Sequence, residues 1–463
     1  MAKSARLSGF PERLPAERVI EKAIIDTLEH TFALHGFSAL NHRAVEPISQ
    51  LAKDGEIDKE IFAVSRLHSE GAERNPLGLH FDLTVPLARY IADNANDLSF
   101  PFKAARVQPV WRGERPQAGR YREFIQADID VIADGELPGH FEVEIPLAVA
   151  DAFSRLAPLG VPGIKIVVND RRLLEGFARG IGLTNIQAVL RCLDKYDKIG
   201  PEEVGKLLAS EAGANEEQQR LCLKLAAIES DSPDFADEVR ALGVEHPLLD
   251  AGLESLTTLL RAAAERAPGV VVAQLKIARG LDYYTGAVYE TQLIGHEELG
   301  SVSSGGRYDS LVTVGKKNYP GVGMSIGVSR LMAFILGEES QVRATRGTPS
   351  AVVIAVTEEA RRSEADAVAA TLRSGTSPAR SRRTRRSSAS RSATPNAATF
   401  RSSGSPTVSP VMRSRTSARE SRPRRIRTRG FRQRTTSGPA CTGAERRATI
   451  IVHALDHNIT KEP

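Results

Sequence analysis

The sequence predicts an α+β fold: an antiparallel sheet flanked by helices, interrupted by a helical insertion and followed by a truncated α/β domain. Two observations lead to this fold class. Phe102–Trp111 and Glu123–Ala133 read as strands that an arginine-rich loop joins into a hairpin. Strand-like segments, Ile164–Val168 and Val270–Ile277, also lie on both sides of a long helical stretch, as in a domain that another one interrupts.

The elements that precede the hairpin follow from helix and strand signals. Pro15 opens an amphipathic helix with apolar residues at intervals of four, and Gly36 is its predicted C-cap. Phe37–Val45 is predicted to be extended. Gly78–Tyr90 is predicted to be a short strand that turns into a helix near Val85.

The elements after the hairpin complete the first domain, which is predicted over residues 1–340. Arg171–Ala267 is rich in Leu, Ala, Glu and Lys and is predicted to be the helical insertion. Ala287–Leu293 is predicted to continue the sheet. Gly323–Gly327 leads into a predicted helix at Val328–Leu336.

A second, small α/β domain is predicted to begin and then to break off, leaving residues 351–373 as a remnant. Ala351–Val356 reads as an apolar strand and Glu358–Leu372 as a helix. The arginine- and serine-rich sequence that follows cannot bury a core, so residues 374–463 are predicted to be disordered and the strand to lack sheet partners. An out-of-frame segment is one hypothesis for this region, and an RNA-binding tail is the alternative.

The charge is divided unevenly along the chain. Ser374–Arg447 contains 19 arginines, two glutamates and neither lysine nor aspartate, a net charge of +17, whereas the whole chain carries +5. The remaining residues therefore carry −12. A basic surface for nucleic acid must be local on such an acidic body, or it must be the tail.

Cysteine use and hydropathy bear on the location. Three cysteines are too scattered for a zinc site or a disulfide framework, which favours a reducing cytoplasm. The N-terminus lacks the apolar region of a signal peptide, and no apolar stretch approaches the length of a membrane span. No membrane is therefore expected as a partner.

Arg112–Asp130 is the most informative segment. Its opening is crowded by four arginines, Arg112, Arg115, Arg120 and Arg122. Period-two alternation then places Gln126, Asp128 and Asp130 on one face of a strand and apolar residues on the other. A solvated sheet face explains such a pattern as well, but guanidinium groups beside carboxylates suit a ligand with both phosphate and ammonium groups.

Three further segments combine glycine with arginine at the edge of an apolar element: Arg279–Gly286, Ser303–Asp309 and Gly321–Leu331. Glycines let a ligand approach the backbone closely, and arginines bind phosphates or carboxylates. A turn with a surface arginine explains any one of these segments, but not four in one chain.

These segments together resemble the bacterial histidyl-tRNA synthetases, which are class II aminoacyl-tRNA synthetases. Arg112–Asp130 resembles the second class-defining motif and Gly321–Leu331 the third, while Phe37–Pro47 lies where the first, dimer-forming motif belongs. Arg279–Tyr284 and Gly305–Asp309 resemble the two signature peptides of the histidine enzyme. The class II catalytic fold and a homodimer are implied by this resemblance.

The resemblance covers about residues 1–373 and implies a two-step reaction. L-Histidine attacks the α-phosphate of ATP to give histidyl-adenylate, and the histidyl group then passes to the 3′ end of tRNA. Arg112 and Arg279 would offset the repulsion between the two anions. Arg330 would hold the γ-phosphate, Glu114 would lie near the adenine or ribose, and Mg²⁺ would bridge the phosphates.

Histidine recognition is implied in the same way. The residues that would bind its α-ammonium are Asp82 and Thr84, with help from Gln126, while Asp130 and Tyr284 would face the imidazole with Tyr283 beside them, and Arg112 and Arg279 would contact its carboxylate. Many relatives have glutamate where this chain has Asp82 and Asp130. The shorter aspartate side chain places the carboxylate oxygens closer to the backbone. Two alternatives stay open: Asp82 caps the following helix, and Arg307 with Asp309 forms an internal ion pair.

Two other functions are weighed against the enzyme. One is an inactive relative that serves as a regulatory subunit of ATP phosphoribosyltransferase, in which the histidine signature peptides tend to be degraded. The other is an RNA-binding protein that acts through its basic tail. The intact signature peptides favour the enzyme.

Overall fold

The computed structural model describes most of the first 375 residues and short stretches beyond them. The described residues are 7–51, 60–67, 75–117, 119–278, 284–314, 317–337, 340, 342–345, 347–348, 350, 352–356, 358–375, 379–383, 399–400, 450–451 and 459–461. Two compact units divide the chain, Met1–Gly347 with Asn458–Pro463, and Thr348–His457.

Strands run through both units. They are β1 (Ser38–Ala39), β2 (Val45–Pro47), β3 (Ala63–Val64), β4 (Leu77–Leu79), β5 (Phe102–Trp111), β6 (Glu123–Ile132), β7 (Ile164–Asp170), β8 (Glu229–Ser230), β9 (Val271–Gln274), β10 (Ala287–Leu293), β11 (Ser303–Tyr308), β12 (Thr313–Val314), β13 (Lys317–Asn318), β14 (Gly321–Gly327), β15 (Val342–Ala344), β16 (Val352–Val356), β17 (Ala379–Arg383), β18 (Thr399–Phe400), β19 (Ile450–Ile451) and β20 (Ile459–Lys461).

The helices lie between these strands. They are α1 (Pro15–Leu34), α2 (Ile48–Leu51), α3 (Thr84–Asn94), α4 (His140–Leu156), α5 (Arg171–Gly180), α6 (Ile186–Leu193), α7 (Tyr196–Ala212), α8 (Glu216–Ala226), α9 (Phe235–Arg240), α10 (Pro247–Arg266), α11 (Val328–Ile335) and α12 (Arg362–Ser374). Gly36 follows α1 with a φ of +79°, as the prediction of a C-terminal glycine requires.

A nine-stranded sheet organises the first unit. Its strand order is β1-β5-β6-β14-β11-β10-β7-β9-β8. The pairings from β5 across to β7 are antiparallel, whereas β1 pairs with β5 and β7 with β9 in parallel. The predicted fold class is confirmed, with parallel pairings added toward both ends of the sheet.

Helices cover the sheet on both faces. On one face α1, α4 and α11 pack over apolar side chains such as Ile129 and Met324, which are almost fully buried. Leu87 and Ile91 of α3 pack on the other face, against Ile132 and Tyr308. The residues that alternate with Ile129 along β6 therefore point to the face that α3 covers only in part.

The second unit corrects one prediction. The strand at residues 352–356 was expected to lack sheet partners, but it pairs in parallel with β17, from Val352 opposite Ala379 to Val356 opposite Arg383. Ile354 and Ala369 are buried between this strand and α12. The expectation was wrong because a parallel pairing needs only backbone hydrogen bonds, which an arginine-rich segment supplies as well as an apolar one.

Candidate active site

The central strands place the polar residues of β6 on one face of the sheet. Asp130 pairs with Gly323 on β14, and in the neighbouring row Asp128 lies between Arg106 on β5 and Ser325 on β14. Cross-strand neighbours share a face, so these side chains form a common floor. Asp128 and Asp130 are only 2% and 3% exposed, so this face is buried and not simply solvated.

Asp130 is held in place by two groups from neighbouring strands. Arg106, which is fully buried, donates a hydrogen bond from Nη2 to Asp130 Oδ2, and the hydroxyl of Tyr308 donates to Oδ1 at 2.7 Å. Burial raises the pKa of Asp130, and Arg106 and Tyr308 oppose that rise. Each carboxylate oxygen keeps a second lone pair and can accept a further hydrogen bond.

Glycines in β11 and β14 make room for the protein's own side chains. A Cβ on Gly323 would lie 2.0 Å from Asp130 Oδ1, and one on Gly306 would lie 2.7 Å from the ring of Tyr284. Such glycines were predicted to let a ligand approach the backbone, and at these two positions that prediction is wrong. These glycines instead leave room for the carboxylate of Asp130 and the ring of Tyr284.

A cavity of about 260 Å³ adjoins this floor, and arginines converge on it. Arg112 follows β5, Arg120 lies in the loop of the hairpin, and Arg330 belongs to α11; all three line the cavity. Nε of Arg112 donates to the carbonyl of Phe81 at 3.0 Å, and its guanidinium lies 5.1 Å from the centre of the Phe124 ring. These contacts fix one cation at the wall of the cavity.

Positive charge dominates the cavity. Burial lowers the pKa of Arg330, and the neighbouring cations Arg120 and Arg112 lower it further, while Glu114 acts in the opposite direction. Glu114 is the one carboxylate among the described lining residues. Arg330 also donates from Nη1 to the carbonyl of Ser301. Three guanidinium groups with one carboxylate suit a polyanionic ligand such as a nucleotide polyphosphate.

Hydrogen-bond acceptors without partners accompany these cations. Asp82 is 6% exposed; its Oδ1 accepts from the N–H of Val85 at 3.1 Å, but its Oδ2 has no hydrogen-bond partner among the described residues. Oε1 of Gln126, which lines the cavity, is likewise buried and unpaired there. Thr84 begins α3 beside Asp82 and is half-buried. Because unpaired buried acceptors are costly, these atoms suit a bound donor such as an ammonium group.

In the first histidine signature segment, the described residues begin only at Tyr284. Arg279 and Tyr283 lie outside the described residues, so their roles stay predictions. Tyr284 is half-buried, and its ring packs near Ile277 and Val288 as well as over Gly306. Because Gly306 pairs with Gly323 and Gly323 pairs with Asp130, this ring lies in the same cross-strand row as Asp130 and on the same face of the sheet.

Known proteins are similar to this chain in sequence. The family model described as histidyl-tRNA synthetase matches residues 9–331. A histidine–tRNA ligase from Cutibacterium acnes is 51% identical over 379 residues, which cover 81% of this chain and 83% of that protein. One from Thermobifida fusca is 43% identical and covers 79% and 84%. The chain belongs to the histidyl-tRNA synthetase family.

Solved structures agree with this membership. The crystal structure of histidyl-tRNA synthetase from Nostoc sp. PCC 7120 is 30% identical with a TM-score of 0.73, covering 84% of this chain and 88% of that one. A Bacillus halodurans structure described as an ATP phosphoribosyltransferase regulatory subunit/histidyl-tRNA synthetase has a TM-score of 0.68 at 18% identity, covering 82% and 93%. The second likeness concerns the fold alone and does not favour the regulatory-subunit alternative.

Some residues of this histidyl-tRNA synthetase family site were missed by the sequence analysis. Phe124 lies on the same face of β6 as Gln126, so period-two alternation could have found it. Arg120 was counted in the loop but given no role. Arg106 gave no signal, because its partner Asp130 comes from another strand.

The alternatives left open are partly resolved. The Asp82 carboxylate bonds to the first turn of α3 through one oxygen and leaves the other unpaired among the described residues, so capping and ligand binding are compatible. Nε of Arg307 lies 3.0 Å from Asp309 Oδ1, which confirms the internal ion pair. No described helix combines the length and apolar character that crossing a bilayer requires.

Proposed function

We propose that this chain ligates L-histidine to tRNA in two steps. In the first, a carboxylate oxygen of histidine attacks the α-phosphorus of ATP; the bond from that phosphorus to the bridging oxygen breaks, and pyrophosphate leaves. In the second, a hydroxyl of the 3′-terminal ribose of tRNA takes the histidyl group from AMP. The observation that carries this proposal is the convergence of Arg112, Arg120 and Arg330 on one cavity beside the unpaired acceptors of Asp82 and Gln126.

The arginines make the first step possible. Two anions must meet, and charge develops on the phosphate oxygens as they do, so fixed guanidinium groups lower the barrier. Arg112, fixed by its bond to Phe81, and Arg279 flank the reacting groups in this proposal. Arg330 holds the γ-phosphate end, and Glu114 contacts the adenine or ribose.

The sheet floor selects histidine. Oδ2 of Asp82 and Oε1 of Gln126 accept from the α-ammonium, with Thr84 beside them. Asp130, held by its two protein partners, and Tyr284 meet the imidazole nitrogens, with Tyr283 next to them. A side chain without donors at these places would leave buried acceptors unpaired, which disfavours other amino acids.

Mg²⁺ fits this site as a companion of ATP. Among the described residues no three His, Cys, Asp or Glu side chains group as metal ligands. Mg²⁺ usually keeps several water ligands and binds together with substrate phosphates rather than in a cage of protein ligands, so it would enter this site with ATP, and Glu114 keeps its role at the adenine or ribose. The ion neutralises phosphate charge when it is bound with ATP.

We infer the assembly and the location from the family resemblance. We expect a homodimer formed through the segment at residues 37–47, whose described strands lie at one end of the large sheet and in a small separate one. We expect the chain in the cytoplasm, where tRNA is charged. Light scattering on the purified chain would measure the dimer directly.

Amino-acid-dependent exchange of pyrophosphate into ATP tests the proposed reaction. Histidine should support exchange, and glutamine or phenylalanine at the same concentration should not, because neither offers two ring nitrogens to the floor. Exchange that is independent of histidine would refute the proposal, and so would its absence with a folded chain.

A further inference from the structure

Glu142 lies at the centre of a cluster that the proposed reaction does not use directly. It is in the first turn of α4 and is only 3% exposed. Its Oε1 accepts from Nη1 of Arg307 at 2.7 Å, and its Oε2 lies 3.2 Å from Nη2 of Arg172. Oε2 also lies 3.5 Å from Oγ of Ser255 and 3.3 Å from the backbone N–H of Ala287.

These partners come from different parts of the fold. Arg172 is in α5, the first inserted helix, and Ser255 is in α10, the last one. Arg307 belongs to β11, in the second histidine signature peptide, and Ala287 begins β10, three residues after the end of the first one. One carboxylate thus joins both ends of the insertion to the second signature peptide and to the strand that follows the first.

The cluster holds the backbone that follows Tyr284. A Cβ on Gly286 would lie 2.9 Å from Cδ of Arg307 and 3.3 Å from Oε2 of Glu142, so the backbone at this position packs directly against the cluster. The N–H of Thr285 donates to the carbonyl of Arg307 at 2.8 Å. The carbonyl of Gly286 accepts from the N–H of the first residue of α5 at 2.9 Å.

We propose that Glu142 is a positioning residue for histidine binding, and that it couples the inserted helices to the segment that carries Tyr284. This inference rests on the proposed function. Glu142 does not line the arginine cavity, so it acts by fixing where residues 284–287 lie. A shift of α5 or α10 changes the bonds to Oε2 and, through Ala287 and Gly286, the position of the tyrosine.

Steady-state pyrophosphate exchange by the full chain tests this role. Glu142→Gln keeps the shape but weakens the bonds to both arginines, so the KM for histidine should rise about tenfold or more. The KM for ATP should stay within about twofold of the wild-type value, because the substitution does not change the arginine cavity. The matched control is Glu144→Gln, on the same helix, whose carboxylate pairs with Lys103 outside the cluster; both KM values should stay within about twofold.

Each result decides the matter. An unchanged KM for histidine in Glu142→Gln would overturn the role, as would equal changes in both KM values. If that variant fails to melt cooperatively, Ser255→Ala takes its place, since it removes a partner of Oε2 on the last inserted helix and keeps the bond from Arg307 to Glu142; it should raise the KM for histidine about threefold, and no change would refute the coupling. A wild-type chain without histidine-dependent exchange would instead refute the proposed function, and this inference with it.

Discussion

The two carboxylate oxygens of Asp82 have different surroundings. Oδ1 accepts from the N–H of Val85 in α3, whereas Oδ2 is buried without a partner among the described residues. Burial raises the pKa of this carboxyl, and the N–H of Val85 and the charge of Arg112 oppose the rise. An isolated buried acceptor of this kind suits a cationic ligand better than a structural role.

Asp82→Asn separates these two tasks. The side-chain oxygen of asparagine can still accept a hydrogen bond from the N–H of Val85, so the melting temperature should change little. Asparagine lacks the negative charge that attracts the α-ammonium group. The KM for histidine should rise about 10- to 100-fold, because hydrogen bonds to charged groups are worth about 1.5–3 kcal/mol. Exchange kinetics and thermal melting measure the two effects; a lowered melting temperature with an unaltered KM would assign Asp82 to the helix alone.

Asp128 makes stability depend on pH. Burial raises its pKa from 3.8 to about 7, although Arg106 opposes the rise. The folded protein therefore keeps this proton at pH values where the unfolded chain has lost it, and stability declines as the pH rises from about 4 to about 7. At lower pH the carboxyl is neutral in both states and this cost is absent.

Asp128→Asn should remove that decline. The melting temperature of the variant, relative to wild type, should rise by about 2 °C or more between about pH 5 and about pH 8. The comparison cancels groups that titrate independently of Asp128, such as His42, whose pKa burial lowers to about 3. A difference that does not vary with pH would mean that Asp128 is ionised throughout.

The glycine-containing strands matter at the scale of elements. β14 lies beside β6 in the sheet and β11 lies beside β14, and the glycines of these two strands leave space for Asp130, Tyr284 and Tyr308. A methyl group at Gly323 would lie 2.0 Å from a carboxylate oxygen and 2.6 Å from the carbonyl of Ile129. The sheet cannot accept it without moving Asp130, which we propose binds the imidazole of histidine.

Gly323→Ala should therefore destabilise the fold and weaken histidine binding together. Overpacking of this kind costs about 1–3 kcal/mol. Gly139→Ala is the control, since nothing lies within 4 Å of its added methyl group and its φ is −59°. Chemical denaturation and the KM for histidine are the measurements; a Gly323→Ala chain as stable as the control would contradict the close packing.

Local patterns predicted some elements and not others. The helix from Pro15 and strands β5 and β6 were predicted, because their apolar residues repeat with the period of a helix or a strand. β11 and most of β14 were not, since Ser-Ser-Gly-Gly and alternating glycines are typical of turns, and only the neighbouring strands make them extended here. The insertion was predicted as helical, but its short strand β8 was not.

The site was predicted to a similar extent. Motif resemblance gave Arg112, Arg330 and Gln126, and the structure brings these three to one cavity. The role of Arg106 could not be predicted from the sequence. A single arginine in a strand does not show which carboxylates it contacts until the register with Asp128 and Asp130 is known. The roles of such residues depend on contacts between strands that are distant in sequence.

At the scale of the whole molecule, the two reaction steps need different parts of the chain. In the proposed reaction, adenylate formation uses groups in the first unit, whereas the resemblance implies that tRNA binding also uses an anticodon-binding domain, of which residues 351–373 are predicted to be only the beginning. We therefore predict that exchange is kept and that tRNA charging is weakened by about 10²-fold, as when one of two linked binding sites is lost. The matched control is the histidine–tRNA ligase of Cutibacterium acnes; equal kcat/KM values for tRNA would contradict this prediction.

Residues that lie far apart in sequence are proposed to form one cleft in which ATP and histidine meet. The most direct measurement is the affinity of a non-hydrolysable histidyl-adenylate analogue, by calorimetry, against those of histidine and AMP alone. We predict that the joined ligand binds about 10²- to 10⁴-fold more tightly than either part, and that Asp82→Asn and Arg330→Gln each weaken it. An analogue that binds no better than histidine alone would place the two ligands in separate sites and contradict the account.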